Sequence, residues 1–298
     1  MRKYSDTILK IVLVAVMALI VIVTVYPLYF SVIASFSEPS EVVAGRVTFV
    51  AKGFTTEAYQ NALNQSEIWV GFCNSMIYTL LGTLLSLCLT VPAAYVLSKK
   101  QLKGRSVLSW YFVLIMYLSG GLVPTYLIMK NLGLLNKSYS LIVIGSFSVY
   151  NMVVCRVYFE SSIPEELYES ARIDGCSEFG QFFKIALPLS TPIMAVIGLF
   201  YASARWNDYF NAMIYLSNSD LFPLQLVLRN ILIQNQMAAA AIDPTLDPEA
   251  VYALTRRAYL AETMKYSLIL ISSAPMLILY PFVQKYFVKG MMIGAVKG

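Results

Sequence analysis

The 298-residue sequence is 58% hydrophobic and only 13% charged, with a mean hydropathy of +0.66, which excludes an ordinary soluble domain. Its formal charge of +5 lies in short clusters beside apolar runs, the pattern of a membrane protein oriented by its loops and not of a nucleic-acid binder. There is no histidine, which removes His-based catalysis and the common His metal sites, and the four cysteines lack metal-ligand spacing and read as free thiols.

Arg2, Lys3 and Lys10 precede a charge-free run from Ile11 to Ser37. A signal peptide has an apolar core of only ~7–15 residues. The longer run here predicts an uncleaved first span, about 11–36. A polar loop from Glu38 to Glu67 follows. The second span, about 70–97, ends at a dense basic turn of Lys99, Lys100, Lys103 and Arg105. The third, about 107–129, carries Gly120, Gly121 and Pro124, which should loosen or kink it. Close helix packing is the simpler role for those glycines. A fourth covers about 138–158, with Arg156 snorkelling toward the interface if it runs on. A charged island, 163–185, separates it from a fifth span, about 186–204, with Pro188 and Pro192 near its start.

The longest connection runs from Arg205 to Lys265. Its stretch Leu221–Ala241 has Arg229 as sole charge, yet Pro223, Asn230, Gln234, Asn235 and Gln236 make it amphipathic, so it reads as re-entrant or interfacial. Asp247-Pro248-Glu249 has the order of a helix start, namely cap, first-position proline and first-turn acid. That helix continues into the last span, about 266–284. The expected fold is all-α, a polytopic membrane protein with six transmembrane helices in one domain over 1–298. Ten basic residues in the N-terminus, the Lys99–Arg105 turn and the tail oppose four in the two short loops across the membrane, so both termini are expected in the cytoplasm. The uncharged runs beneath these spans, the fourth counted from Ser138 to Cys155, hold no Asp, Glu, Lys or Arg, which argues against a proton relay. No G-x-x-x-x-G-K-[ST] loop is present, so the chain does not bind ATP by that device. Such a membrane protein must couple to a partner.

The island is the obvious socket. Pro164 suits a first helical position. Glu165 and Glu166 favour the first turn, and Gly175 stands where a left-handed residue ends a helix. Ser177 can cap a second short helix that runs to Ile185. Glu169-Ser170-Ala171 is followed after three residues by Gly175, and after nine more by Ile185, with Leu187 and Pro188 close behind. This spacing resembles the E-A-A loop of the membrane subunits of ABC importers. Asp174 and the later LPL-x-x-P look like the maltose-type carbohydrate uptake branch, its second permease and its complex-oligosaccharide subgroup. Ser170 in place of the first alanine, and Cys176 where a small residue is usual, are departures. The resemblance covers roughly the whole chain, including Trp206-Asn207-Asp208 and the terminal Gly290 to Gly298.

The resemblance implies a non-enzymatic permease subunit in the bacterial cell membrane. The island is then a cytoplasmic coupling helix that docks in an ATPase cleft through Glu165, Glu169, Ser170, Ala171, Asp174, Gly175, Ile185, Leu187 and Pro188. The implied partners are a homologous permease in a heterodimer, two ATPase subunits and an extracellular solute-binding protein that delivers the oligosaccharide. Mg-ATP belongs to the ATPase subunits, with no cofactor or metal in this chain. The tail, with Lys289, Gly290, Gly294 and Lys297, would reach the ATPase dimer; alternatively its lysines lie against membrane lipid. Trp206, Asn207 and Asp208 either meet sugar by stacking and hydrogen bonding or form an aromatic belt. Asn74, Ser75, Tyr78 and Tyr117 are further candidates for the path. The rivals are a secondary, ion-coupled carrier and a membrane anchor of a signalling complex. The missing intramembrane charge and inverted halves speak against the carrier.

Overall fold

The computed structural model describes residues 2–118, 120–240 and 247–295, and no strand occurs among them. In chain order the helices are α1 (Arg2–Ser35), α2 (Pro39–Val43), α3 (Glu57–Leu63), α4 (Ser66–Ser98), α5 (Arg105–Tyr117), α6 (Leu122–Asn131), α7 (Ser138–Val143) and α8 (Val149–Ser162). They continue as α9 (Glu165–Ile173), α10 (Glu178–Gln181), α11 (Leu187–Leu189), α12 (Thr191–Trp206), α13 (Phe210–Tyr215), α14 (Leu224–Ala240) and α15 (Pro248–Ala295). A π-helical turn, Phe182–Ala186, joins α10 to α11. Among the described residues three helices are long and apolar enough to cross a membrane, at Leu9–Ser35, Ser66–Ser98 and Pro248–Gln284. Two bent pairs raise the number to five if each is one span: α5 with α6, and Glu178–Leu189 with α12.

The uncharged runs of the first and second spans do form single helices, α1 and α4. The start at Pro248 and its continuation through the last span also appear, as the 48-residue α15. The third and fourth spans differ from expectation, since each is two helices. Between α5 and α6, Gly121 has φ +84°, and a Cβ there would meet nothing within 4 Å. The glycine turns the backbone; it does not serve the close packing expected of it. Between α7 and α8, Gly145 has φ +67°, and the Ser148 side chain accepts from the Asn151 N–H to cap the new helix. The fifth span bends by 76° at Ser190, and α12 restarts with Pro192 in its first turn, where no N–H is missed. In Leu221–Ala241, Leu224, Leu226, Val227, Leu228 and Ile231 of α14 are buried.

The chain divides into two compact units. Unit one comprises 1–68 and 228–274. Its core joins Ile33, Ala34, Val42 and Val47, with Phe30 and Tyr266 edge-on at 5.4 Å. From Leu9 to Tyr29 every residue of α1 is exposed, as lipid contact requires, and only the last turns enter the core. Unit two comprises 69–227 and 275–298. Its main core gathers Val91, Ala94, Tyr95 and Leu97 of α4, Met152, Cys155 and Phe159 of α8, Tyr168 of α9, and Ile193 and Ile197 of α12. A second cluster collects Tyr78, Leu141, Ala212, Leu216 and Leu226.

Candidate coupling and translocation sites

The island folds from its own local chemistry. Pro164 precedes the first turn of α9 as its cap, one place earlier than expected, and Glu165 and Glu166 occupy that turn. At the other end Gly175 has φ +77°. The Gly175 N–H donates to the Arg172 carbonyl at 3.1 Å, and the Cys176 N–H to that of Ala171 at 2.8 Å. This pair of bonds is a glycine-terminated helix stop. The Ser177 hydroxyl accepts from the Gly180 N–H at 3.2 Å and caps α10. Across the elbow, Arg172 reaches both Glu178 and Gln101 at 3.2 Å.

This elbow sorts the predicted coupling residues. Ile185 and Leu187 are part-buried and pack on the main core, so they anchor the loop. Glu165, Glu169, Ser170, Asp174 and Pro188 are exposed, and Ala171 is half-buried. The Ser170 hydroxyl donates to the Glu166 carbonyl at 2.9 Å within its own helix. Sequence reading missed the most prominent outward groups. Ile173 is 86% exposed and Phe179 80% exposed, on either side of Gly175. The available signal was that Ile173 and Phe179 lie on either side of the glycine stop, at the turn of a charged island. Apolar groups fringed by carboxylates suit a protein partner better than open water.

Beneath the elbow, Tyr168 is the buried residue of α9. Its ring centroid lies 6.1 Å from that of Tyr95, which also meets Phe182 at 5.0 Å and Phe159 at 5.6 Å. The Lys99 Nζ sits 2.9 Å from the Tyr168 centroid and 4.7 Å from that of Tyr95. It is buried without a hydrogen-bond partner, as are the hydroxyls of Tyr95 and Tyr168. Burial pushes the Lys99 ammonium below the usual lysine range, while the carboxylates of Glu165 and Glu178 act against that. Burial also raises the Tyr168 hydroxyl, with Tyr95 and Glu165 adding to it. The tyrosine therefore stays neutral and offers a π face, not a phenolate.

A second cation lies deeper in unit two. Arg205 was expected at the start of a long connection, and the spans were expected to hold no charge. Instead Arg205 turns inward, donating through Nη1 to the Leu141 carbonyl at 2.5 Å and through Nη2 to the Ser86 hydroxyl at 3.2 Å. Gly82 leaves the room, because a Cβ there would fall 2.5 Å from the guanidinium carbon. One turn earlier on the same face of α12, the Tyr201 hydroxyl accepts from the Ser148 N–H at 3.0 Å and pairs with the Thr90 hydroxyl at 2.7 Å. Leu141 is in the last turn of α7 and Ser148 caps α8. Tyr201 and Arg205 thus stitch the break in the fourth predicted span, where loose backbone groups need partners inside a membrane. Arg156 also finds partners: it donates to Glu160 and to Ser109 at 2.8 Å each.

The predicted path residues are scattered by comparison. Asn74 donates to the carbonyls of Asp220 and Phe222, and Tyr78 to that of Leu221, which ties down the 220–222 loop. The Ser75 hydroxyl accepts from the Leu224 N–H. Tyr117 ends α5, largely exposed. Trp206 is 2% exposed and meets Phe72 edge-on at 5.8 Å. It lines an apolar cavity of about 410 Å³ with Thr79, Thr83, Met194, Gly198 and Pro275. Asn207 bonds its own helix at Ser203, and Asp208 accepts from Asn211. Of the tail residues, Lys289, Gly290 and Gly294 lie on the last turns of α15, and Lys297 lies outside the described residues.

Comparison with known proteins agrees with this architecture. The family profile "Binding-protein-dependent transport system inner membrane component" matches residues 68–293. Protein LplC of Bacillus subtilis is 37% identical over 279 residues, covering 93% of this chain and 90% of the relative. The polygalacturonan/rhamnogalacturonan transport system permease protein YtcP of the same organism is 35% identical over 285 residues, covering 93% and 94%. One chain in the crystal structure of a bacterial ABC transporter that imports the acidic polysaccharide alginate superposes with a TM-score of 0.83 at 32% identity. That match covers 95% of this chain and 98% of the other.

Proposed function

Since this chain belongs to the binding-protein-dependent transport system inner membrane components, we propose that it is the second permease of an ATP-driven oligosaccharide importer, coupled through its 163–185 loop. The observation that carries the coupling role is the elbow at Gly175, which presents Ile173 and Phe179 outward among carboxylates while Tyr168, Ile185 and Leu187 hold it from behind. In this reading the loop docks in a cleft of an ATPase subunit. Two such subunits bind Mg-ATP, a homologous permease completes a heterodimer, and an extracellular binding protein delivers the sugar. Movement of the loop biases the permease pair between inward and outward states. Six spans place both termini in the cytoplasm: α1, α4, α5 with α6, α7 with α8, the Glu178–Leu189 stretch with α12, and α15. The tail of α15 reaches the ATPase dimer. Trp206, with its cavity, and Asn207 lie along the sugar path.

Acidic oligosaccharides are the substrate class we favour. Two of the similar proteins, one named for polygalacturonan and rhamnogalacturonan and one described for alginate, handle uronate-containing polymers. The test is ATP-dependent uptake of labelled oligogalacturonides into proteoliposomes holding the whole complex, with neutral maltooligosaccharides as competitors. Uptake that the neutral sugars do not compete away is expected. Ile173→Asp with Phe179→Asp should release the ATPase subunits on purification. Retained subunits and unchanged uptake would reject the docking face.

A further inference from the structure

We propose that Lys99 is the positioning residue that joins the coupling helix to the end of α4, gripping Tyr168 by its ring face so that motion of α9 is passed into the membrane. The inference rests on the coupling reading of the loop and goes beyond it, because no predicted docking residue makes this contact.

Three observations carry it. The first is connectivity: α4 ends at Ser98, and Lys99 is the next residue. Whatever holds the Lys99 side chain therefore holds the cytoplasmic end of a 33-residue helix. The second is the partner. Tyr168 is the side chain α9 turns inward, and the Lys99 Nζ lies 2.9 Å from its ring centroid, with Tyr95 of α4 at 4.7 Å on another side. The third is what the joint leaves open. The Lys99 ammonium and the hydroxyls of Tyr95 and Tyr168 are all buried without hydrogen bonds. A purely structural core would rarely tolerate three such groups together, since each is a polar group removed from water with no hydrogen bond in return.

A ring face holds a cation without fixing a direction, in contrast to a hydrogen bond. The helix can therefore rotate against α4 while the two stay attached. Glu165 and Glu178, whose charges already act on Lys99, offer the ammonium carboxylates when the loop shifts. The joint is strong enough to transmit displacement and loose enough to let α9 roll.

The test uses the reconstituted complex and two readouts. The first is hydrogen exchange at the α9 amides. Lys99→Met should speed exchange there about tenfold and leave α8 unchanged, whereas Lys99→Arg should stay within about twofold of the parent. The second is ATP hydrolysis, basal and stimulated by binding protein charged with oligogalacturonides. Lys99→Met should keep the basal rate and lose at least fivefold of the stimulation, and Lys99→Arg should recover most of it. Tyr168→Phe should behave as the parent and Tyr168→Leu as Lys99→Met. Tethering Gln101→Cys to Arg172→Cys with a short bis-maleimide should restore stimulation to Lys99→Met, because the tether replaces the grip. Unchanged exchange and stimulation in Lys99→Met, or Lys99→Arg failing as badly as it, would overturn the assignment. If charged binding protein does not stimulate even the parent complex, the transport reading fails; exchange alone then decides Lys99, and unaltered α9 exchange rejects it.

Discussion

Arg205 and Lys99 are both cations lodged among the helices of unit two, meeting α4 at points about 25 Å apart along its axis, and they are held by opposite means. Arg205 is fixed by directed bonds to a carbonyl and a hydroxyl, in a slot that only Gly82 leaves open. The Lys99 ammonium has no hydrogen bond and rests against two rings. The first arrangement punishes movement, because each displaced bond strands a buried polar group. The second tolerates it. Rigidity therefore belongs to the middle of the unit, where a broken span must be held together. Freedom belongs to the end of α4 beside the elbow, where the proposed coupling requires movement.

The contrast predicts an order of effects on unfolding free energy, measured on the purified protein in mixed micelles. Arg205→Met should cost most, about 3 kcal/mol, through two lost charged hydrogen bonds and a stranded Leu141 carbonyl. A cost below about 0.5 kcal/mol would mean that the stitch carries no stability. Gly82→Ala comes next, at about 2 kcal/mol, because its methyl evicts the guanidinium. If Gly82→Ala adds its full cost on top of Arg205→Met, the two do not share one slot and that explanation is wrong. Tyr201→Phe should cost about 1 kcal/mol and loosen the Ser148 amide in hydrogen exchange. Equal protection of Ser148 in parent and variant would remove Tyr201 from the stitch. Lys99→Met should change stability least, by under about 1 kcal/mol, since its cation–π gain is offset by burial of the charge. A loss as large as that of Arg205→Met would erase the distinction between the two regions.

Legibility in the sequence follows the range of the forces involved. The elbow of the island could be read residue by residue, because proline, first-turn acids, a left-handed glycine and a capping serine act over a few positions. The runs that became α1, α4 and the last span were equally plain, since lipid demands about twenty uncharged residues and little else. The break at Gly145 was not plain, and that at Gly121 was expected as a loosening or kink without its direction. A glycine in an apolar run suits close packing and a positive φ alike, and only the surroundings decide. Arg205 was misplaced for a related reason. Its partners Leu141 and Ser86 lie 64 and 119 positions away, so nothing local shows that the side chain turns inward. The match of Lys99 to Tyr168 was hidden in the same way, behind a basic turn that looked like a topology signal and nothing more.

The contact of Phe30 with Tyr266 has a consequence for how the chain is made. Unit one joins 1–68 to 228–274, whereas most of unit two lies in the continuous stretch 69–227. During synthesis α1 reaches the bilayer first, and its last turns can pack on Val42 and Val47 at once. Phe30 gains its ring partner Tyr266 only when the segment 228–274 leaves the ribosome, and until then that face meets lipid or an insertion factor. Unit two meanwhile matures on contacts already available. Biogenesis should therefore pass through an intermediate with a folded middle and a first helix still without Tyr266, and truncations that stop before Tyr266 should accumulate in that form.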